Sequence, residues 1–228
     1  MRLMALAISV VGLCSVSWAV ENDKTNERLD DAAELFGEIM GSPDKSIPQD
    51  LLNKSACIVL VPGLKKGGFV VAAKYGRGFV TCRNTSGQGW GAPAAVRIEG
   101  GSVGLQIGIS STDLVLLVMN ERGMKKLLTS KFTLGADASI AGGPVGRTAS
   151  AQTDVLITAE ILSWSRSRGA FAGLSLDGAT LRQDIDENEH MYGKRWENKQ
   201  ILNSAAQPPA GAAKLIGVLN KYSPRKAN

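Results

Sequence analysis

Few side chains in this 228-residue chain are of a type and spacing that performs chemistry. The one histidine, His190, stands near Tyr192 with no partner nucleophile in sequence. Asp137, Asp154 and Glu160 could form an acid and base pair, but nothing in their spacing singles them out. Asp137 sits in a glycine-rich apolar run, where a carboxylate ordinarily accepts hydrogen bonds from turn amides. No G-x-S-x-G elbow occurs, and no grouping of His, Cys and carboxylates has zinc spacing. The chain therefore reads as a non-enzyme with no cofactor and no metal.

The basic residues are more informative. Lys65 and Lys66 fall on the turn "PGLKKGG", and Arg77 lies between glycines in "YGRG". Arg166 and Arg168 bracket a turn in "WSRSRGAF", and Arg147 closes "LGADASIAGGPVGR". Most lysines and arginines are simply solvated. Gathered at one end of a β-structure, these would make a basic rim suited to anionic lipid headgroups. Phe69, Tyr75, Trp164 and Phe171 read as core, with a membrane-facing collar as the alternative.

The stretch from Leu134 to Arg147 poses the choice between a phosphate loop and structural glycine. It lacks the G-x-x-x-x-G-K-[ST] pattern, and G-x-G-x-x-G is absent too. An anion nest using Arg147 stays open as the minority reading. Structural glycine is favoured, because glycine supplies 26 of 228 residues, well above the usual ~7%. Gly104, Gly108, Gly135, Gly169 and Gly173 fall inside strand-like runs, where glycine permits bends and close backbone approach.

Residues 1–19, "MRLMALAISVVGLCSVSWA", have a basic start, a short apolar stretch and a small-x-small end. They read as a signal peptide cleaved after Ala19. Leu13 before Cys14 disfavours lipidation. Residues 20–228 then form a single domain, exported and periplasmic or associated with the cell envelope. The net charge of +5 is mildly basic, and no block of like charge suggests nucleic acid. Cys57 and Cys82 remain in the mature chain, either bridged or both small buried hydrophobes.

The elements that must position these residues follow from periodicity. Leu29, Ala33, Phe36 and Met40 mark one face of a helix over about 26–40. A short helix over 48–54 follows, with Ser46 as its cap. From Ala56 come short β-like runs: "CIVLVP", "GGFVVAAKYG", "GFVTCRN", "AAVRIEG", "SVGLQIGIS" and "DLVLLVMN". Their short links predict mostly antiparallel pairing. Asn120 caps a helix in "NERGMKKLLTS". Strand texture returns from Lys131, with Val155–Ile161 open between strand and helix. A helical turn in "DIDENEHMYG" and a final helix in "AAKLIGVLNKYS" complete the chain. The predicted fold is α+β: a glycine-rich antiparallel β-barrel or strongly curved sheet, with N- and C-terminal helices packed on it.

The pieces "IPQDLLNKSACIVLVPGLKKGGFVVAAKYGRG", "GWGAPAAVRIEGGSVGLQIGISSTDLVLLVMN", "LGADASIAGGPVGR" and "WSRSRGAFAGLSLDGATLRQDIDENEHMYG", in this order, resemble the SYLF family in its exported bacterial form. The resemblance runs from about Asn26 to Tyr222. Ala72 and Ala73 depart from it, standing where the family often has a glycine pair. It implies a phospholipid-binding module without established catalytic residues, with phosphoinositide and actin associations in eukaryotic relatives. For an exported protein it points to anionic phospholipids at a membrane surface, bound peripherally. It also raises Arg77, Arg147, Arg166 and Arg168 as headgroup contacts. An envelope structural or protein-interaction module without lipid preference is the alternative; neither the lipid nor the oligomeric state follows from the sequence.

Overall fold

The computed structural model describes residues 5–42, 46–68, 71–84, 89–103, 108–146, 158–167, 170–171, 176–204 and 206–224. Helix α1 spans Ala5–Gly41 and α2 spans Gln49–Lys54. Strands β1 (Cys57–Gly68), β2 (Val71–Cys82), β3 (Ala94–Val103) and β4 (Gly108–Val118) follow, then α3 (Glu121–Leu127). Strands β5 (Lys131–Thr133), β6 (Ile140–Gly142), β7 (Ile161–Ser167), β8 (Ala170–Phe171) and β9 (Thr180–Gln183) complete the sheet. Helices α4 (Ile185–Tyr192), α5 (Asn198–Asn203) and α6 (Ala213–Tyr222) close the chain.

The strands form one sheet in the order β5-β9-β3-β2-β1-β4-β7-β6, with β8 paired to β7. Every pairing is antiparallel except β6 with β7. The two outermost strands, β5 and β6, are separated by only residues 134–139. That segment reaches at most about 24 Å even if fully extended. A flat path of eight strands would be roughly 34 Å wide. The sheet must therefore curl until its edges approach, and the glycine-rich segment is the clasp between them. Of the two expected forms the strongly curved sheet is found, since β5 and β6 are not paired with each other.

Curvature is built in along β2. A β-carbon at Gly78 would fall 2.0 Å from the Leu60 carbonyl oxygen, and one at Gly76 would fall 2.7 Å from Leu64. Only glycine lets β2 ride this close on β1. "GGFVVAAKYG" and "GFVTCRN", expected as separate runs, are thus joined through Gly76-Arg77-Gly78 into one strand. Similarly, the expected turn at "PGLKKGG" is a bulge. The register slips between Val61 and Leu64, Gly63 has φ 61°, and β1 continues to Gly68. Asp113 fixes the bulge by accepting from the Gly63 amide at 3.0 Å.

Both faces of the central strands are buried, which explains their near-continuous apolar sequence. On the outer face Ile58, Leu60, Phe79, Val115, Leu117, Leu162 and Trp164 pack against α1, α2 and α6. The expected helical stripe Leu29, Ala33, Phe36 and Met40 is buried there. On the concave face Val59, Val61, Val80, Val96, Leu114 and Leu116 pack against Leu127, Phe132, Leu134, Leu181 and Ile201. Asn120 caps α3 as expected, accepting from the Gly123 amide at 3.0 Å. Pro48, not Ser46, stands at the N-cap of α2, and Ser46 instead accepts from Gly146 through its carbonyl. Most of 155–161, left open between strand and helix, lies outside the described residues.

Cys57 and Cys82 pair directly across β1 and β2 and form a disulfide, S–S 2.04 Å. Of the two alternatives open in the sequence, the bridge is the one present.

Candidate functional site

Arg77 leaves the outer face of β2 toward α4. Its Nε lies 2.9 Å from Oδ2 of Asp184, and its Nη1 lies 3.2 Å from Oε2 of Glu187. Both carboxylates are 1% exposed. Arg28 on α1 also donates to Glu187, and Arg97 on β3 approaches Asp184 at 3.9 Å. Burial alone would lower the Arg77 pKa, but Asp184 and Glu187 outweigh it and raise it. Asn188 extends the group: its Oδ1 accepts from the Ala95 amide, and its Nδ2 donates to Asn198 at 2.7 Å. Two carboxylates and an amide at i, i+3 and i+4 thus share one buried face of α4. Sequence reading passed over Asp184, Glu187 and Asn188, although three polar residues at helical spacing beside a predicted N-terminus were the available signal.

Arg166 faces outward from β7. It is 15% exposed and binds Glu38 of α1 at 2.6 Å and Asp113 of β4 at 3.1 Å. Asp31 and Glu34 line the same cleft. Burial raises the Asp31 pKa, and Glu27 and Glu34 add to the shift. A single guanidinium among four carboxylates makes this cleft net acidic.

Arg83, which sequence reading did not select, is a further internal clamp. It donates to the Leu52 carbonyl at 2.9 Å and the Ser223 carbonyl at 2.6 Å, and stacks 3.9 Å from the Trp90 ring centroid. A cation there complements the C-terminal ends of α2 and α6.

Lys65 and Lys66 are placed differently. They lie toward the hairpin end of β1, where Lys65 pairs with Tyr75 and Lys66 with Lys74. Neither makes an ion pair among the described residues. Tyr75, expected in the core, is 47% exposed because it lies beyond the residues of β2 that the helices cover. Trp164 is in the core as expected, its Nε1 donating to the Pro144 carbonyl at 2.9 Å. The structure therefore brings Lys65 and Lys66 together at the hairpin end and holds Arg77 and Arg166 in two separate carboxylate groups. Arg147, Arg168, Asp154 and Phe69 lie outside the described residues.

The glycine segment resolves in structural terms. A β-carbon at Gly143 would fall 2.1 Å from the Trp164 ring. The amides of Gly135, Gly143 and Gly146 each donate to a backbone carbonyl. Asp137 accepts from the Thr133 amide at 2.7 Å, a bond that lowers its pKa. No grouping of potential metal ligands occurs among the described residues. Among them also, no helix is long and apolar enough to cross a membrane.

This helix-backed, nearly closed glycine-rich sheet has recognisable relatives. A family described as "Ysc84: Las17-binding protein actin regulator" matches residues 99–222, more than half of the chain. The chain belongs to the SYLF/Ysc84 family. It is 32% identical to the human SH3 domain-containing YSC84-like protein 1 over 187 residues, 82% of this chain and 54% of that protein. The rat protein of the same name is 32% identical over 182 residues, 79% of this chain and 53% of the relative. LAS seventeen-binding protein 3 of Saccharomyces cerevisiae is 32% identical over 181 residues, 77% of this chain and 39% of the yeast protein. This SYLF/Ysc84 chain spans about half the length of the curated animal relatives it matches. The family description is that of a binding and regulatory module.

Proposed function

We propose that this protein is a non-catalytic module that binds anionic phospholipid headgroups at a cell-envelope surface. The observation that carries the reading is the exposed Lys65–Tyr75 cross-strand pair at the hairpin end of the sheet. An ammonium beside an aromatic ring with a polar tip suits the boundary between headgroups and acyl chains. Lys66 next to it adds a second cation. Arg147 and Arg168 belong to the proposed rim on the sequence alone. Arg77 and Arg166 serve it from behind, by fixing the helices against the sheet. The disulfide supports an exported location, because such bridges persist in oxidising compartments.

The test is flotation of the protein with neutral vesicles and with vesicles containing anionic phospholipid, at low and high salt. Binding to anionic vesicles only, weakened by salt and lost in Lys65→Ala/Lys66→Ala, is expected. Binding indifferent to salt would sink the rim mechanism. The family description and the yeast relative's name both refer to protein binding. Absence of flotation, with capture of a protein partner independent of lipid, would put an interaction module in its place.

A further inference from the structure

Lys66 and Lys74 face each other across β1 and β2. Leu64 belongs to the concave core, so two-residue alternation puts Lys66 on that face. Lys74 shares it with Val80 and Cys82. Two like charges directly opposed on a ladder are destabilising. The cost is sharpened because Lys74 is only 6% exposed. Burial first, then Lys66, holds the Lys74 ammonium below the ordinary lysine range, with Asp177 acting the other way. The same band of the concave face carries hydroxyls: Ser110 pairs with Lys66, Thr112 with Leu64, and Ser165 with Leu114.

Paired ammonium groups flanked by hydroxyl donors are what a tetrahedral oxyanion requires. The geometry points to a phosphate site on the concave face, in which Lys66 and Lys74 together hold one phosphate group from a lipid headgroup or from free phosphate. A bound anion would turn the repulsion between the two lysines into shared attraction. The site deepens the lipid reading and rests on it for the headgroup source. Lys65 points to the opposite face and is the internal control.

The experiment follows the 13Cε resonances of labelled lysines in the full chain, assigned with Lys→Gln variants. Inorganic phosphate is titrated first, then a short-chain phosphatidate below its micelle concentration. Lys66 and Lys74 should shift together and saturably while Lys65 stays still. Lys74→Gln should abolish the Lys66 shift; should that variant fail to fold, Lys66→Gln and the wild-type titration decide. Saturation with phosphatidate at least tenfold tighter than with phosphate identifies the headgroup as source, and equal affinities identify free phosphate. Shifts that are absent, or linear and equal at all three lysines, overturn the site. Flotation lost in Lys65→Ala with Lys66 and Lys74 unmoved by either probe leaves the lipid reading standing and removes this one. Saturable shifts without any flotation do the reverse.

Discussion

The Nε of Arg77 lies 2.9 Å from Oδ2 of Asp184, a carboxylate at the N-cap of α4 that is almost wholly buried. Through Glu187, the same arginine is linked to Arg28 on α1. An arginine that reads as a surface cation between two glycines is thereby the junction of sheet and two helices. Arg77→Ala leaves two buried carboxylates short of a partner. Removing one member of such a pair costs about 3 kcal/mol. Urea denaturation should show that loss, while any flotation per folded molecule is unchanged.

Gly143 and Gly142 make a matched pair. A β-carbon at Gly143 meets the Trp164 indole at 2.1 Å, whereas one at Gly142 meets nothing within 4 Å. Overpacking of this kind costs about 1–3 kcal/mol. Thermal melts should place Gly143→Ala well below wild type and Gly142→Ala beside it. Equal melting points would refute the packing account of the glycine segment.

The disulfide closes a sequence separation of 25 residues. Chain-entropy arguments give a bridge of that span about 3 kcal/mol. Cys57→Ser/Cys82→Ser should lose about that much in a urea melt. Because both cysteines are buried, a mild reductant should leave the folded wild type intact and act only once the chain is unfolded.

Asp137 offers a pH test. The Thr133 amide holds its carboxyl below the usual 3.8, so the folded state favours the ionised form. The resulting stabilisation of the turn is fully present above the ordinary carboxylate value. It is lost as pH falls through the lower folded value. A carboxyl-carbon titration should give a midpoint below 3.8, and Asp137→Asn should abolish the acid-induced loosening of residues 133–137.

Lys74 predicts the opposite sense. Its folded pKa is lowered, so the charged side chain destabilises the fold, and that cost fades as pH rises toward the ordinary lysine value. Lys74→Met should therefore raise the melting temperature near neutral pH, by an amount that shrinks as pH approaches about 10. A lower melting temperature for Lys74→Met at neutral pH would contradict the cost ascribed to the lysine pair.

Elements governed by local rules were legible in the sequence. The stripe of α1 and the Asn120 cap need only spacing and residue type. The curved sheet was legible as glycine excess, yet the glycines that bend β2 are Gly76 and Gly78, flanking an arginine that suggested a turn. What sequence cannot display is partnership across distance. Arg166 looks free until Glu38 and Asp113 arrive from other elements, and Tyr75 looks apolar until the helices end short of it. Asp184, Glu187 and Asn188 were hidden for the same reason: their partners lie on α1, β2, β3 and α5.

The first and last helices lie against each other. Lys214 donates to Glu34 at 3.0 Å, and the rings of Phe36 and Tyr222 meet edge to face. The stripe of Leu29 and Phe36 therefore cannot be fully covered while the chain is still being made, since part of its cover is synthesised last. A nascent or translocating chain carries that apolar surface exposed until α6 emerges, when it is a natural target for holding chaperones and a hazard for aggregation. Loss of only the last ten residues or so would leave every strand in place and still deny the first helix its seat.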